Sequence, residues 1–391
     1  MLKNIEIPKE LEEFSHLAED VNILVGENGS GKSILLNEVA RYHSNSGRKV
    51  IAITNSIYDK FNVRKRNFKI LRNSFGKQLA KRAVVNVLYI FSQQNNENKY
   101  GILRVLDYIG IDKCIGIRLK KNIFSDSRLH SNYIHDDLQN SYVDYNEEDS
   151  FLKYFNELIS NYKGEIIQDY VIFSLDENNY ERYHTYSFFN HFFNNQYSIE
   201  EILKRFDFSL MKNGKIMEVL GASSGELTLF TSLVYISSNI DRESVILIDE
   251  PENSLHPKWQ IEYIRKVLDL FYLYQPKLVI ATHSPLIING GKLNVEKINI
   301  LKGGGNGFFL LERNKKNVEE IYEEYFNLTT PENRYLSDFI MEKFNLLIEG
   351  KMDLSDFVNL VSRFINQSYD EVQKKAFEGI IELAKKFVSK S

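Results

Sequence analysis

The chain has 391 residues, which exceeds the usual size of one compact core and predicts two or three subdomains. Its 43% hydrophobic and 26% charged residues are typical of a soluble globular protein, and the net charge of −4 excludes a globally basic nucleic-acid binder while leaving room for a local basic patch. The single cysteine, Cys114, excludes an internal disulfide and a cysteine-based zinc site. The sequence shows neither a signal-peptide core nor a long apolar run, so we expect a cytoplasmic protein without a membrane span.

The first predicted elements are a strand, a glycine-rich loop, a helix and a second strand. Residues 20–25 are a short apolar strand pattern, residues 34–42 have helical spacing, and residues 50–54 read as another buried strand. Between the first strand and the helix lie Gly26, Glu27, Asn28, Gly29, Ser30, Gly31, Lys32 and Ser33.

This loop matches the pattern G-x-x-x-x-G-K-[ST]. Its glycines permit the unusual backbone dihedrals by which successive amides face a polyphosphate, and the following helix adds its dipole. Lys32 is predicted to reach the β- and γ-phosphates of ATP, and Ser33 to bind Mg²⁺. The alternative is an ordinary glycine turn, but a strand before the loop and a helix after it favour the phosphate-binding interpretation.

Residues 56–205 are irregular and rich in asparagine, aromatic and charged residues. Strand-like pieces occur at residues 87–91, 114–119 and 170–175. The basic run 60–72, with Arg64, Lys65 and Arg66, could contact phosphates or could be a solvated charged face. The histidines of this region are interpreted as loop or core residues rather than metal ligands; they are His130 and His135, next to Asp136 and Asp137, and His184 and His191.

Regular patterns return near residue 206. Helices are predicted at about 225–238 and 258–274, and strands at 244–248 and 278–281. Residues 298–301 and 308–311 read as a β-hairpin, and amphipathic helices follow from residue 318 to the end.

The strand at 244–248 ends in two acids, Asp249 and Glu250. Ligands of α/β proteins bind at the carboxyl ends of strands, so Asp249 is predicted to hold Mg²⁺ through water and Glu250 to act as the general base for the attacking water. The alternative is a strand that ends at the surface in two solvated carboxylates.

The segment 249–257 resembles the Walker B and D-loop segment of soluble ABC-type ATPases, which include RecF-like and SMC-like proteins, overcoming-lysogenisation-type nucleases and ATPases of phage-defence systems. The segment 222–226 is similar to the signature L-S-G-G-Q of that family and keeps Ser223 and Gly225. Its departures at the other three positions put membership of the transporter branch in doubt. The resemblance implies that Ser223 and Gly225 cap the γ-phosphate of ATP on the opposite subunit; alone, the segment also reads as a helix cap.

By the same resemblance, His283 in the segment 278–285 is the switch histidine, which contacts the γ-phosphate and positions the water with Glu250. A histidine at a strand end is otherwise commonly structural. The family's Q-loop glutamine has no clear counterpart: Gln93 and Gln94 are candidates by position, and Asn55 is a rival.

The segment 346–353 resembles the opening of a Toprim nuclease domain. That domain also needs an acidic strand with an Asp-x-Asp pair, which does not occur after Asp353. We expect instead a helix that ends at Gly350 and a new helix capped near Asp353, so the chain is predicted to carry no nuclease of its own.

These features predict an α/β fold: a P-loop NTPase of ABC type with an α+β insertion and a helical C-terminal tail. The expected ATPase head comprises residues 1–55 and 206–315, the insertion 56–205 and the tail 316–391.

The segments 56–61 and 318–336 resemble ATPases of Septu and retron defence systems. This implies a homodimer or higher oligomer that uses ATP and Mg²⁺ as an antiphage switch controlling a separate effector, a nuclease or a toxin. Two alternatives stay open: a RecF-like DNA-repair ATPase that binds nucleic acid in an ATP-dependent way, and an interaction protein with a vestigial ATPase.

Overall fold

The computed structural model describes residues 6–15, 19–56, 59–72, 77–93, 97–120, 165–175, 190, 199–219, 221–253, 255–295, 297–304, 307–311, 334–368 and 371–388. Two sheets organise the described part of the chain, and each is flanked by helices.

The larger sheet has seven strands in the order β12-β11-β1-β10-β9-β2-β3. All neighbouring pairs are parallel except β11 with β12, which form the predicted hairpin. The strands are β1 (Asp20–Val25), β2 (Val50–Thr54), β3 (Phe68–Arg72), β9 (Val245–Asp249), β10 (Lys277–Ala281), β11 (Ile298–Gly304) and β12 (Gly307–Leu310).

Alternate residues of the central strands face two separate hydrophobic clusters, as the two-residue period of a strand requires. In β9, Val245 and Leu247 belong to one cluster, which includes Leu35 and Val39 of helix α2 (Lys32–Asn45). Ile246 and Ile248 belong to the other cluster, on the opposite face. The same alternation assigns Asp249, two residues after Leu247, to the face that α2 covers.

The opposite face of the larger sheet is covered by helices α7 (Pro257–Phe271) and α8 (Pro285–Asn294), which pack against each other. A short 3₁₀ turn, Tyr272–Tyr274, follows α7, so the helix predicted to run to residue 274 ends slightly earlier.

The second sheet has five antiparallel strands in the order β5-β6-β4-β7-β8. Its inner face belongs to the same hydrophobic cluster as α7 and α8, together with four further helices. The strands are β4 (Cys114–Leu119), β5 (Ile166–Ile167), β6 (Tyr170–Ser174), β7 (Phe206–Lys212) and β8 (Lys215–Glu218). The helices are α3 (Lys77–Ser92), α4 (Asn98–Ile109), α5 (Ile199–Arg205) and α6 (Ser224–Asn239).

Three features differ from the sequence prediction. Residues 87–91, predicted as a strand, are the last turns of α3; the run is apolar because this helix is buried against α6, and a short apolar run does not distinguish a buried helix from a strand. β3 pairs with β2 in the larger sheet, although it lies in the segment predicted as the insertion, 56–205. β7 pairs with β4 in the second sheet, although it lies in the segment predicted as the second half of the head, 206–315.

The C-terminal part contains three helices, α9 (Arg334–Ile348), α10 (Leu354–Gln367) and α11 (Glu371–Val388), around a core of their own that includes Phe357 and Phe364. Gly350 has a φ of 72° after the end of α9, and Asp353 is the N-cap residue of α10, as predicted in place of a Toprim strand. A short helix, α1 (Lys9–Glu12), precedes β1. Across the residues that the structure describes, no helix is both long and apolar enough to cross a membrane.

Candidate functional site

The carboxyl ends of four parallel strands meet at one edge of the larger sheet. The strand pairing aligns Asp249 with Ala281 of β10 on one side and with Thr54 of β2 on the other. β1 lies on the far side of β10, so the loop that leaves Val25 begins next to these residues. Ligands of α/β sheets bind at such an edge.

The loop 26–31 turns sharply because its glycines occupy the left-handed half of backbone space. Gly26, Gly29 and Gly31 have φ values of 143°, 82° and 96°, which other L-residues adopt only with strain. The Lys32 ammonium is buried and donates hydrogen bonds to the carbonyl oxygens of Gly26 at 2.9 Å and Glu27 at 3.2 Å. The lysine therefore folds back over the loop, as a residue that contacts a phosphate in the loop must do.

Ser33 and Asp249 are in direct contact although 216 residues separate them in sequence. The Ser33 hydroxyl donates to Asp249 Oδ2 at 2.9 Å. Asp249 is 1% exposed, and its other oxygen, Oδ1, is buried without a partner in the described structure. Burial raises the pKa of Asp249 to about 6, against the lowering effect of the Ser33 hydrogen bond.

These two residues fit a hard divalent cation, because both offer oxygen and Asp249 Oδ1 has no competing partner. The described residues contain no cluster of three or more His, Cys, Asp or Glu side chains that could hold a metal. Mg²⁺ in a nucleotide site uses one or two protein oxygens together with phosphate and water, and Ser33 and Asp249 could supply these two oxygens.

Glu250 and His283 form the other half of the site. His283 Nε2 lies 3.4 Å from Glu250 Oε1, and both side chains are just over a quarter exposed. Burial and the charge of Lys32 lower the pKa of His283, so its imidazole is neutral at pH 7. Asn253 donates to Glu250 Oε2 at 3.2 Å, which holds the carboxylate in a water-accessible position next to a neutral histidine.

Glu252 also belongs to this edge, although the sequence did not single it out. Its carboxylate accepts the Thr282 hydroxyl at 2.8 Å and the His283 backbone N–H at 2.6 Å. Burial raises its pKa, and these hydrogen bonds oppose that shift. In the sequence, Glu252 is an acid two positions after the predicted catalytic glutamate. The sequence did not indicate that its side chain accepts hydrogen bonds from residues about 30 positions later.

Of the Q-loop candidates, the structure places Asn55 at the site. Its side-chain amide donates to the Glu250 carbonyl oxygen at 3.0 Å, and its backbone N–H donates to the Asp249 carbonyl oxygen at 3.2 Å. Gln93 follows the last turn of α3 and donates to Ser92 at 3.3 Å. Gln94 lies outside the described residues, as do His130, His135, Asp136, Asp137, His184 and His191.

Ser223 is the N-cap of α6, and Gly225 lies in the first turn. The Ser223 hydroxyl donates to the Glu226 carboxylate at 2.9 Å and accepts the Glu226 backbone N–H at 3.3 Å, which is a capping box. Lys212 of β7 binds the same carboxylate at 2.6 Å and is the main cause of its lowered pKa. These bonds organise the helix start; none joins Ser223 to the glycine loop of its own chain.

Residues 116–289 match the family model described as "AAA domain, putative AbiEii toxin, Type IV TA system". The matched segment includes Ser223, Asp249, Glu250 and His283, whereas the glycine loop lies before it.

Two relatives are similar in sequence. The Retron Vc95 probable ATPase of Vibrio cholerae serotype O1 biovar El Tor is 21% identical over 366 residues, which cover 74% of this chain and 70% of the relative. The Septu protein PtuA of Bacillus mycoides strain KBAB4 is 39% identical over 54 residues, which cover 13% of this chain and 7% of that protein. The resemblance to phage-defence ATPases of retron and Septu systems that the motifs predicted is confirmed: the chain, of mixed α/β architecture, is similar to the AAA-domain model, to a probable ATPase of a retron and to a Septu protein.

Proposed function

We propose that this protein hydrolyses ATP to ADP and phosphate with Mg²⁺, and that hydrolysis controls a dimeric switch in an antiphage defence system. The contact between Ser33 and Asp249 carries the first part of the proposal, because it joins the phosphate-binding loop to the acidic strand end. Glu250 and His283 lie beside that contact on the neighbouring strand ends.

In the proposed mechanism the amides of residues 26–33 and the Lys32 ammonium bind the phosphates of ATP. Ser33 and Asp249 would hold Mg²⁺, which supplies positive charge to the phosphate oxygens. Glu250 accepts a proton from the attacking water. The neutral His283 contacts the γ-phosphate and orients that water, so that catalysis consists mainly of positioning and charge stabilisation.

We further infer that the second half of the site comes from another copy of the chain. The N-terminus of α6 carries Ser223 and Gly225 at the anion-attracting end of a helix dipole, and the Ser223 hydrogen bonds within the described residues are to Glu226 rather than to the chain's own glycine loop. A head-to-tail dimer would bring this helix start to the γ-phosphate on the partner. ATP would close such a dimer, and hydrolysis would release it.

The defence role rests on the names of the two relatives and on the motif resemblance. A separate nuclease or toxin is the proposed effector, because the segment 346–353 forms a helix end rather than a Toprim strand. We propose that the head is built mainly from residues 1–55 and 206–315, around the insertion 56–205 and before the tail 316–391, with β3 of the insertion added to the head's sheet and with β7 and β8 pairing in the second sheet. A cytoplasmic location accords with this role.

The Glu250→Gln variant tests the proposal. We expect it to bind ATP but to release phosphate at least 100-fold more slowly than wild type, since the amide cannot accept the proton. Size-exclusion chromatography with ATP and Mg²⁺ should then show a trapped dimer. Glu243→Gln, a neutralised glutamate in an exposed ion pair, is the matched control and should behave as wild type. Hydrolysis at the wild-type rate by Glu250→Gln would refute the assignment of the base.

A further inference from the structure

The densest run of exposed cations along the described part of the chain lies outside the nucleotide motifs. Five exposed cations occur between residues 60 and 69, without an acid among them, in a chain whose net charge is −4. We call them the basic edge; they are Lys60, Arg64, Lys65, Arg66 and Lys69.

The cations of the basic edge have no acidic partner among the described residues. This distinguishes them from nearby basic residues, which are paired: Arg41 with Glu38, Arg48 with Glu243, and Arg72 with Asp59. Charged side chains left unpaired on a surface are available to an external anion.

The backbone that carries the basic edge is held by contacts that do not use these five side chains. Arg72 binds both carboxylate oxygens of Asp59, at 2.7 and 3.2 Å. The Asn62 backbone N–H donates to the Asn37 side chain, and the Asn67 amide donates to the carbonyl oxygens of residues 44 and 48. The segment is therefore positioned without the basic side chains, so folding does not explain their presence.

Protection of a sheet edge explains only one of the five. β3 is the last strand of the larger sheet, and a lysine on an edge strand discourages pairing with other chains. Lys69 lies on β3 and can serve that purpose, whereas the other four cations precede the strand.

The side chains around the cations indicate which kind of polyanion this surface can bind. The described aromatic residues of this segment, Phe61 and Phe68, are 6% and 9% exposed and pack into the core behind the sheet. They offer no ring on which the bases of a single strand could stack, and no apolar wedge to enter a lipid surface. Guanidinium and ammonium groups without such neighbours fit a regular array of phosphates.

We propose that the basic edge binds the phosphate backbone of a nucleic-acid duplex without reading its sequence. The surface begins five residues after Asn55, whose side chain is bonded to the Glu250 carbonyl oxygen. Lys60 lies nearer the nucleotide edge, because the neighbouring Asp59 binds Arg72, which pairs with Thr54 at the carboxyl end of β2. Arg64, Lys65 and Arg66 precede Phe68, which pairs with Val50 at the amino end of β2. A duplex that contacts all of these cations would therefore run along the β3 side of the sheet, away from the nucleotide edge. This proposal is independent of ATP hydrolysis, because duplex binding can be measured without nucleotide.

The test measures fluorescence anisotropy of a labelled DNA duplex of about 24 base pairs with the full-length protein, between 50 and 200 mM salt. If all five cations contact phosphates, the affinity should fall several hundred-fold over that range, from a slope of about 0.9 per contact. The triple variant Arg64→Ala/Lys65→Ala/Arg66→Ala should bind at least 10-fold more weakly at 100 mM salt, and its slope should fall by about 3. A matched triple variant, Lys375→Ala/Lys385→Ala/Lys386→Ala, removes the same charge from exposed positions of α11 and should bind as wild type.

Several outcomes would overturn the proposal. One is equal loss of binding in both triple variants, which would indicate net charge alone; another is wild-type affinity in the basic-edge variant. Tighter binding to a single strand of the same length, or binding only to phosphatidylserine vesicles, would assign the surface to a different polyanion. An unchanged thermal unfolding curve shows that the variant is folded, so weak binding then reports the surface itself.

Discussion

The carboxylate of Glu252 accepts the backbone N–H of His283 at 2.6 Å, which ties the loop after β9 to the loop after β10. Its second oxygen accepts the Thr282 hydroxyl. A partly buried acid thus fixes the position of His283 relative to Glu250. A carboxylate that is withdrawn from water destabilises the fold unless hydrogen bonds replace its hydration. Both oxygens of Glu252 accept such hydrogen bonds.

Glu252→Ala should lower kcat for ATP hydrolysis by about 100-fold, because a displacement of about 1 Å at a catalytic group costs that much. KM should stay within a few-fold of wild type, since the Lys32 hydrogen bonds found in the described structure go to the glycine loop and not to Glu252. Steady-state kinetics with phosphate detection measures both constants.

The conservative variant Glu252→Gln distinguishes positioning from a general loss of structure. Its side-chain carbonyl oxygen can still accept one of the two hydrogen bonds, so kcat should recover part of the loss. A raised KM with unchanged kcat in Glu252→Ala would contradict the positioning role, and so would equal kcat values for the two variants.

Asp249→Asn should abolish hydrolysis but stabilise the fold at neutral pH. The pKa of Asp249 is raised from 3.8 to about 6, so its ionised form is disfavoured by folding. In wild type, the stability that depends on a protonated Asp249 carboxyl is present in full below about pH 4 and is lost as pH rises to about 6. At pH 7 the neutral asparagine avoids this penalty, which amounts to about 3 kcal/mol, and it can still accept the Ser33 hydroxyl.

Urea unfolding of wild type and Asp249→Asn across pH 4 to 7.5 checks this prediction. The difference in the free energy of unfolding should grow with pH up to about 6 and then stay constant. Asp241→Asn, a neutralised and largely exposed acid, serves as the control and should give a small difference across this range. A pH-independent difference for Asp249→Asn would show that burial does not raise this pKa.

The phosphate loop and the strands around it could be predicted from sequence because each signal there is local. Val245–Asp249 is an apolar strand that ends in an acid. Lys32–Asn45 is a helix that follows a loop with the glycine spacing of a phosphate-binding loop. The alternation along β9 also determines that Asp249 shares a face with Ser33.

The missed features depend on contacts between distant segments. Glu252 resembles any loop acid until residues 282 and 283 fold against it. The apolar run within α3 resembled a strand because α6 covers the helix. Gln93 was preferred to Asn55 as the Q-loop candidate because the order of strands in a sheet cannot be read from their position in the chain.

Lys277→Met should destabilise the fold by about 3–5 kcal/mol, because it leaves Asp20 buried without its partner. Lys277 is fully buried and contacts both carboxylate oxygens of Asp20 at 2.9 and 3.0 Å. The pair lies at the opposite end of β1 and β10 from the nucleotide site. Chemical denaturation should show that the double variant Asp20→Asn/Lys277→Met is less destabilised than the single one. A double variant as unstable as the sum of the two single variants would show that the charges do not interact.

Gly303→Ala should weaken ATP binding although residue 303 has no predicted contact with nucleotide. A Cβ at this position would lie 3.0 Å from the Ser30 Cβ and 3.0 Å from the Phe308 ring. The hairpin β11–β12 packs directly on the glycine loop, so either the hairpin or the loop must shift. We expect KM for ATP to rise about 10-fold or more, from a misplaced phosphate cradle.

Gly304→Ala is a closely matched control for this variant. It makes the same chemical change one residue later in the same strand, and among the described residues its Cβ would meet only the Phe309 ring, at 3.4 Å. Binding of a fluorescent ATP analogue should therefore be near wild type for Gly304→Ala and reduced for Gly303→Ala. Equal affinities in the two variants would mean that the hairpin does not support the loop. Restored binding in Gly303→Ala/Phe308→Ala, where the ring is removed, would instead assign the effect to crowding between hairpin and loop.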